Sequence, residues 1–366
     1  MSKKFLSQVT LSFLLVSFGL IGSPAYSQVG KPIATRLDAQ QKQQLYDLLQ
    51  KGQEYIDAGN INNALTIYQQ AASIDSNNAK IFSGIGYLYA TTGNYGEAAQ
   101  AYQRAISLAP DNPAFHYALG YSLAQKGDYA QATEAYYQAL KLDPNNTKNY
   151  LALAVVLLRQ GNYEQIEEYY QRVISLDPNN EKAHEIMATA LYNQGETAKA
   201  LNFLEKSLQK FPHSSELKIK LATALLKEGN SESGFQTLQE IYESAPQNPQ
   251  VQLKIAMIFE QQKQWDQALE AYEKASALNR GSIEAQSGIA RIYEQKEDYF
   301  RAIVAYRRFI ELAPQNPYGY HRLGVVLKER GRTAEAKEML HKAKIIYESQ
   351  NNSQGLKEVN NLLGKS

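Results

Sequence analysis

From Leu45 onward, apolar and small residues alternate with polar turns at fixed intervals, and the alternation predicts pairs of amphipathic helices. Between Pro113 and Pro144 the chain places Leu119-Gly120 in a first helix and Gly127-Asp128-Tyr129 at a turn. Ala132, Tyr136 and Ala139 then fall on one buried stripe of a second helix. The preceding stretch repeats the arrangement as Ile85-Gly86, Gly93-Asn94-Tyr95, Ala98, Tyr102 and Ala105. Pro110, Pro144, Pro178, Pro212, Pro246, Arg280 and Pro314 are each 34 residues apart, and Arg280 keeps the register where proline is missing. A strict period of this length, closed by proline, is the signature of a helix-turn-helix solenoid.

Each recurring position has a physical reason. Gly120, Ala132 and Ala139 let two helices cross closely, while Leu119 and Tyr136 fill the space around the crossing. Gly127 can take the left-handed conformation that ends the first helix, and Asp128 can cap the second. Pro144 stops the second helix, and the Asn and Thr residues after it can cap the next unit.

These offsets resemble the tetratricopeptide repeat (TPR) family. The likeness covers residues 45–348 as nine units beginning at Leu45, Ala79, Pro113, Thr147, Glu181, Ser215, Pro249, Ile283 and Pro317. It implies an all-α, right-handed superhelical solenoid. Residues 349–366 are expected to close it as a capping helix, with Leu356, Val359 and Leu363 on one face. Two units depart from the pattern. The fourth carries Ile166 and Val173 where alanine is usual, so its helices are expected to stand further apart. The sixth opens its second helix with Ser231-Glu232-Ser233-Gly234, and a mid-helix glycine costs roughly 1 kcal/mol against alanine. That unit is the expected soft joint.

Residues 1–27 read as a secretion signal, with Lys3 and Lys4 at the start, an apolar stretch from Val9 to Ile21, and a cut after Ala25-Tyr26-Ser27. Residues 28–44 form a polar lead-in. The localisation expected is the periplasm or another exported compartment, with membrane contact only through a partner or an uncleaved signal. Losing Lys3 and Lys4, which no acid in that segment offsets, takes the net charge from +1 to −1. Such a balance lacks the basic footprint of a nucleic-acid binder. The absence of cysteine excludes disulfides and thiolate chemistry.

A solenoid has no single core in which to enclose a catalytic pocket, and its long curved surface suits binding. No His-Glu-x-x-His, no Gly-x-Ser-x-Gly and no phosphate-cradling glycine loop occurs. His116 and His184 hold an aromatic framework position and read as packing residues. No enzyme is expected.

Most of the 26 tyrosines also sit at framework offsets. Others fall on the outward stripe of the first helices, which in TPR stacks faces the concave groove: Tyr46, Tyr87, Tyr117, Tyr121, Tyr192 and Tyr318. With Leu49, Leu151, Val155 and Leu158 they present an aromatic and aliphatic groove over the first four units, a composition that marks a partner site. Tyr87, Tyr117, Tyr121, Leu151, Val155, Leu158 and Tyr192 are the candidate partner-binding residues, and none of the three tyrosines of units two and three is expected to be needed for closing its own helix pair. The lysine-asparagine clamp by which some TPR modules hold a C-terminal carboxylate is replaced in units two and three by Ser83, Tyr87, Tyr117 and Tyr121.

The last three units carry a charged stripe of Lys254, Glu260, Glu284, Arg291, Glu294, His321, Arg322 and Lys328. Glu260, Glu284 and Glu294 are candidate oxygen ligands for Mg²⁺, Ca²⁺ or Mn²⁺, set against a solvated groove balanced by Lys254 and Arg291. In overall organisation the chain is similar to cyanobacterial periplasmic TPR assembly factors. That resemblance implies a role in photosystem II biogenesis, binding to the C-terminal part of the D1 precursor, and help with manganese loading. A general envelope adaptor for cell-wall or outer-membrane assembly is the alternative.

Overall fold

The computed structural model describes residues 37–364. The expected secretion signal and most of the polar lead-in lie outside the described residues. Within them the chain forms nineteen helices and no strand. The nine units pair Ala39–Asp57 with Ile61–Ile74, Ala79–Thr91 with Tyr95–Leu108, Pro113–Lys126 with Tyr129–Leu142, and Thr147–Gln160 with Ile166–Leu176. They continue as Glu181–Asn193 with Thr197–Lys210, Ser215–Lys227 with Ser231–Ser244, and Pro249–Gln261 with Trp265–Leu278. Ile283–Gln295 with Tyr299–Leu312 and Pro317–Glu329 with Thr333–Ser349 complete the stack, and Ser353–Gly364 caps it, burying Val359.

Local chemistry sets the boundaries. Gly127 turns the chain with φ +91°, and the Asp128 side chain accepts from the Gln131 amide at 3.3 Å. Asn112 and Asn146 cap the next first helices by accepting from Ala114 and Lys148. The first helix starts earlier than the repeat register requires, because Asp38 and Gln41 form a reciprocal capping box. In units seven and eight the glycine of the inter-helix turn is replaced by Lys263 and Glu297, which hold φ values of 58° and 59°.

The expected irregularity of the fourth unit takes a specific form. Its second helix begins only at Ile166 and has 11 residues where the neighbouring second helices have 14. Ile166 and Val173 are buried in the alanine positions, and the stretch before them is a turn closed by Ile166 N–H donating to the Tyr163 carbonyl at 3.1 Å. Gly234 of the sixth unit is tightly packed: a Cβ there would lie 2.7 Å from Leu226 Cγ. The thin part of the stack is the junction of units six and seven, where Ser231–Ser244 and Pro249–Gln261 meet more sparsely than any other pair of consecutive helices. One large core runs from Ala98 to Ala200 and a second from Ile219 to Ala336, and a small separate cluster of Ala188, Leu204, Leu217 and Ala224 lies between them in the chain. The sixth unit does border the weak joint, and its sparse contact with the seventh makes it weak, whereas Gly234 is well packed within its own unit.

First helices of successive units touch one another from unit two to unit eight, whereas no comparable contact joins second helices. The stack therefore curves with its first helices inside, and the stripe they present lines the concavity.

Candidate functional site

The N-terminal part of the concavity is a tyrosine-lined wall. Tyr46 is 63% exposed and Tyr87 36% exposed, while Tyr117, Tyr121, Leu151, Val155, Leu158 and Tyr192 are half-buried. Tyr117 leans on Tyr136 with ring centroids 5.4 Å apart, and Tyr121 meets Tyr95 edge-on at 6.4 Å. The expectation that no groove tyrosine helps close its own helix pair therefore fails for Tyr117, whose ring covers a framework ring of the same unit. Tyr192 is covered by Lys227, whose Nζ stands 4.2 Å from the ring centroid.

Below these rings lie Tyr102 and Tyr136, 4% and 3% exposed. Gly120 makes room for the second of them, since a Cβ there would lie 2.8 Å from the Tyr136 ring. Burial pushes the Tyr102 hydroxyl well above the ordinary tyrosine range, with the Tyr87 and Tyr121 hydroxyls adding to the shift. Tyr136 behaves likewise, with Tyr117 and Tyr121 as its neighbours. Five phenolic hydroxyls thus share one region of the inner wall, and their rings make it both apolar and protic.

The C-terminal part is built differently. Arg291 donates from Nε and Nη2 to the two oxygens of Glu260, both at 2.8 Å, and Tyr272 donates to Glu260 Oε2 at 2.5 Å. Burial alone would raise the Glu260 carboxyl, but hydrogen bonds from Arg291 and Tyr272 and the Arg291 charge outweigh it and hold the group below the usual carboxylate range. One unit further on, Arg322 pairs with Glu294, and Tyr306 donates to Glu294 Oε2 at 2.6 Å. Trp265 and Tyr318 stand with Glu260, Arg291, Glu294 and Arg322 around an open recess of about 310 Å³.

This arrangement answers the metal reading of the sequence. Glu260 and Glu294 each face a guanidinium and a phenol, Glu284 joins neither pair, and among the described residues no three carboxylates or imidazoles gather in a metal-holding geometry. Glu260 and Glu294 share a repeat offset, but opposite charges one unit further on, Arg291 and Arg322, take them up. His321 also leaves the groove stripe: it is buried against Tyr347, with rings 6.2 Å apart.

Between the two parts, Lys182 pairs with Glu185 at 2.6 Å, Lys254 pairs with Glu216, and Lys220 donates to the Thr189 hydroxyl at 2.7 Å. Desolvation pushes the Lys220 ammonium below the ordinary lysine range, Glu185 and Glu216 oppose the shift, and Lys182 and Lys254 add to it. His184 packs among Tyr170, Phe203 and Phe211, as its framework position implies. Ser207 donates its hydroxyl to the Phe203 carbonyl, so Nδ1 of His184 carries the proton shared with Ser207, and its buried Nε2 is unpaired. Among the described residues no helix is long and apolar enough to cross a membrane.

Helix pairs in 34-residue register, stacked into one curved array, define a repeat scaffold, and comparison with known families agrees. The chain belongs to the tetratricopeptide repeat family: the TPR model of the C-terminal domain of cilia and flagella-associated protein 70 matches residues 21–247. The model of the N-terminal TPR repeats region of Psidin matches residues 189–362. No curated protein matches the chain in sequence. Among solved structures, a tetratricopeptide repeat protein from Parabacteroides merdae superposes with a TM-score of 0.58 at 14% identity, over 68% of this chain and 99% of that one. PilF of Pseudomonas aeruginosa gives 0.45 at 18% identity, over 58% of this chain and 97% of that one. Yeast Tom70 gives 0.45 at 13% identity, over 89% of this chain and 96% of that one. At such identities the first of these likenesses speaks for the fold alone.

Proposed function

We propose that this protein is an exported, non-catalytic TPR scaffold that holds a peptide segment or partner protein in the concave wall of units two to four. The observation that carries the reading is the exposed and half-exposed run of Tyr87, Tyr117, Tyr121, Leu151, Val155 and Leu158 on the inner face, where a solvated surface would be polar. Export rests on Lys3-Lys4, the apolar stretch after them and Ala25-Tyr26-Ser27. N-terminal sequencing of the envelope protein should begin at Gln28, and an intact Met1 end in the membrane fraction would mean an anchor.

The finer reading is an assembly factor for photosystem II that engages the D1 precursor. It is supported by the organisation of the chain: an exported array of nine units, free of cysteine. Affinity capture from the native envelope with the mature chain tests both levels. The parent should retain a partner that the combined Tyr87→Ala, Tyr117→Ala and Tyr121→Ala variant loses. Photosystem subunits in the retained fraction support the finer reading, and cell-wall or outer-membrane components in their place would make the protein a general envelope adaptor. Turnover of a small substrate by the purified chain would contradict the scaffold reading.

A further inference from the structure

The repeats permit a unit-by-unit comparison at one buried position. Tyr102, Tyr136, Tyr272 and Tyr306 occupy the same place in units two, three, seven and eight. In units seven and eight the hydroxyl donates to the glutamate twelve residues earlier, Glu260 or Glu294. In units two and three the residue at that place is Ala90 or Ala124. The guanidinium of Arg291, which completes the network around Tyr272, is likewise replaced beside Tyr102 by Tyr121 and beside Tyr136 by Val155. Among the described residues neither Tyr102 nor Tyr136 has a hydrogen-bond acceptor for its hydroxyl.

The absence extends along the inner wall. The first helices of units two, three and four, Ala79–Thr91, Pro113–Lys126 and Thr147–Gln160, contain no aspartate or glutamate. Phenolic hydroxyls are good donors, and burial keeps those of Tyr102 and Tyr136 protonated. A wall of donors and aromatic faces without carboxylates is complementary to a chain that offers carbonyl oxygens and flat apolar rings and asks for few acceptors. An ordinary extended peptide brings one N–H per residue that the wall would leave unpaired at a cost. Proline has no N–H, and a run of prolines adopts the extended polyproline II helix, whose carbonyls point outward and whose ordering entropy is already low.

Building on the partner-groove reading, we propose that the tyrosine-lined wall of units two to four binds a proline-rich segment in the polyproline II conformation. The Tyr102 and Tyr136 hydroxyls donate to its backbone carbonyls, while Tyr87, Tyr117 and Tyr121 pack on its rings. Leu151, Val155 and Leu158 extend the apolar face for residues beyond the proline run. Units seven and eight cannot do the same, because their tyrosine hydroxyls already have in-chain acceptors.

Calorimetric titration of the purified protein with a decaproline peptide tests the proposal. Two control probes of equal length are used: a leucine-rich amphipathic helix and an acidic peptide without proline. Decaproline should bind, and Tyr102→Phe and Tyr136→Phe should each weaken it about fivefold, the worth of one net hydrogen bond. Neither variant should lower the melting temperature, since the ring remains. Tyr272→Phe should leave decaproline binding unchanged. Binding of decaproline that ignores both Tyr→Phe changes would overturn the assignment of the hydroxyls, and with it the proposal. Preference for the amphipathic or the acidic peptide, lost in the Tyr87→Ala, Tyr117→Ala and Tyr121→Ala variant, would overturn the proline-rich ligand and leave the groove reading standing. If no probe binds and the same triple variant still retains every partner in envelope capture, the groove reading itself falls.

Discussion

Units two and three and units seven and eight are built on one plan and differ in what they do with the same tyrosine. At the C-terminal end its hydroxyl is tied to Glu260 or Glu294, which in turn is held by Arg291 or Arg322. At the N-terminal end the carboxylate is replaced by Ala90 or Ala124, and among the described residues Tyr102 and Tyr136 have no in-chain acceptor. At this one framework position the hydroxyl is thus satisfied within the chain in one half and has no in-chain acceptor among the described residues in the other. On the proposed reading, a shared fold carries two surfaces, one inert and one receptive, set by a substitution invisible in the helix pattern.

The largest expected effect tests whether framework and surface tyrosines are different in kind. Tyr136→Ala removes a ring that is 3% exposed, and emptying such a site costs about 3–5 kcal/mol. Thermal unfolding should show the loss with or without partner. Tyr87→Ala should do the reverse: truncating an interface anchor costs about 2 kcal/mol of binding, roughly thirtyfold, with little change in melting. Tyr117→Ala should show both losses, because its ring also covers Tyr136. If Tyr87→Ala melts early as well, the receptive half is only a core seen from its edge.

Glu260→Gln breaks the comparison from the other side. Hydrogen bonds to charged groups contribute about 1.5–3 kcal/mol, and the partial exposure of Arg291 reduces this to about 1–2 kcal/mol. The folded carboxyl titrates below its ordinary value of 4.5, so its contribution is complete above that pH and is lost as pH falls through the depressed value. Stability curves of parent and variant should converge in acid and diverge above about pH 5. The converse graft, Ala90→Glu with Tyr121→Arg, should give Tyr102 an in-chain acceptor and abolish partner binding in units two and three. The smallest effect lies at the turns: Lys263→Gly and Glu297→Gly relieve a left-handed backbone, and each should stabilise by about 0.5–1 kcal/mol in chemical denaturation.

Much of the fold was legible because each repeat marks its own boundaries. Gly127, Asp128 and Asn146 are found where the 34-residue register puts the turn and the caps, and Val359 closes the last face. What escaped depends on contacts between helices. Ile166 signals a wider crossing, but not that the helix behind it loses its first turn. The sequence sets Arg291 and Lys254 against the glutamates as a general balance of charge, but not the one-to-one pairing of Arg291 with Glu260 and Arg322 with Glu294, each a unit away in sequence. His321 reads as a groove residue, but the second helix of its own unit brings Tyr347 against it. The receptive hydroxyls were hidden for a simpler reason: Tyr102 and Tyr136 look like core. Only the pairing of Ala90 with Tyr102, set beside that of Glu260 with Tyr272, reveals the missing acceptor, and aligning the units on one another exposes it.

The sparse contact between units six and seven has a mechanical meaning. In a linear array each unit is held only by its neighbours, so a tear spreads until it meets an interface weak enough to stop it. The meeting of Ser231–Ser244 with Pro249–Gln261 forms such a stop between the two parts of the stack. Pulled from its ends, the molecule would yield as two blocks in succession, with an intermediate that keeps one half coiled and the other paid out as slack chain. A ligand seated in units two to four would reinforce only the first block. The force at which the second block opens would be the same whether the groove is full or empty.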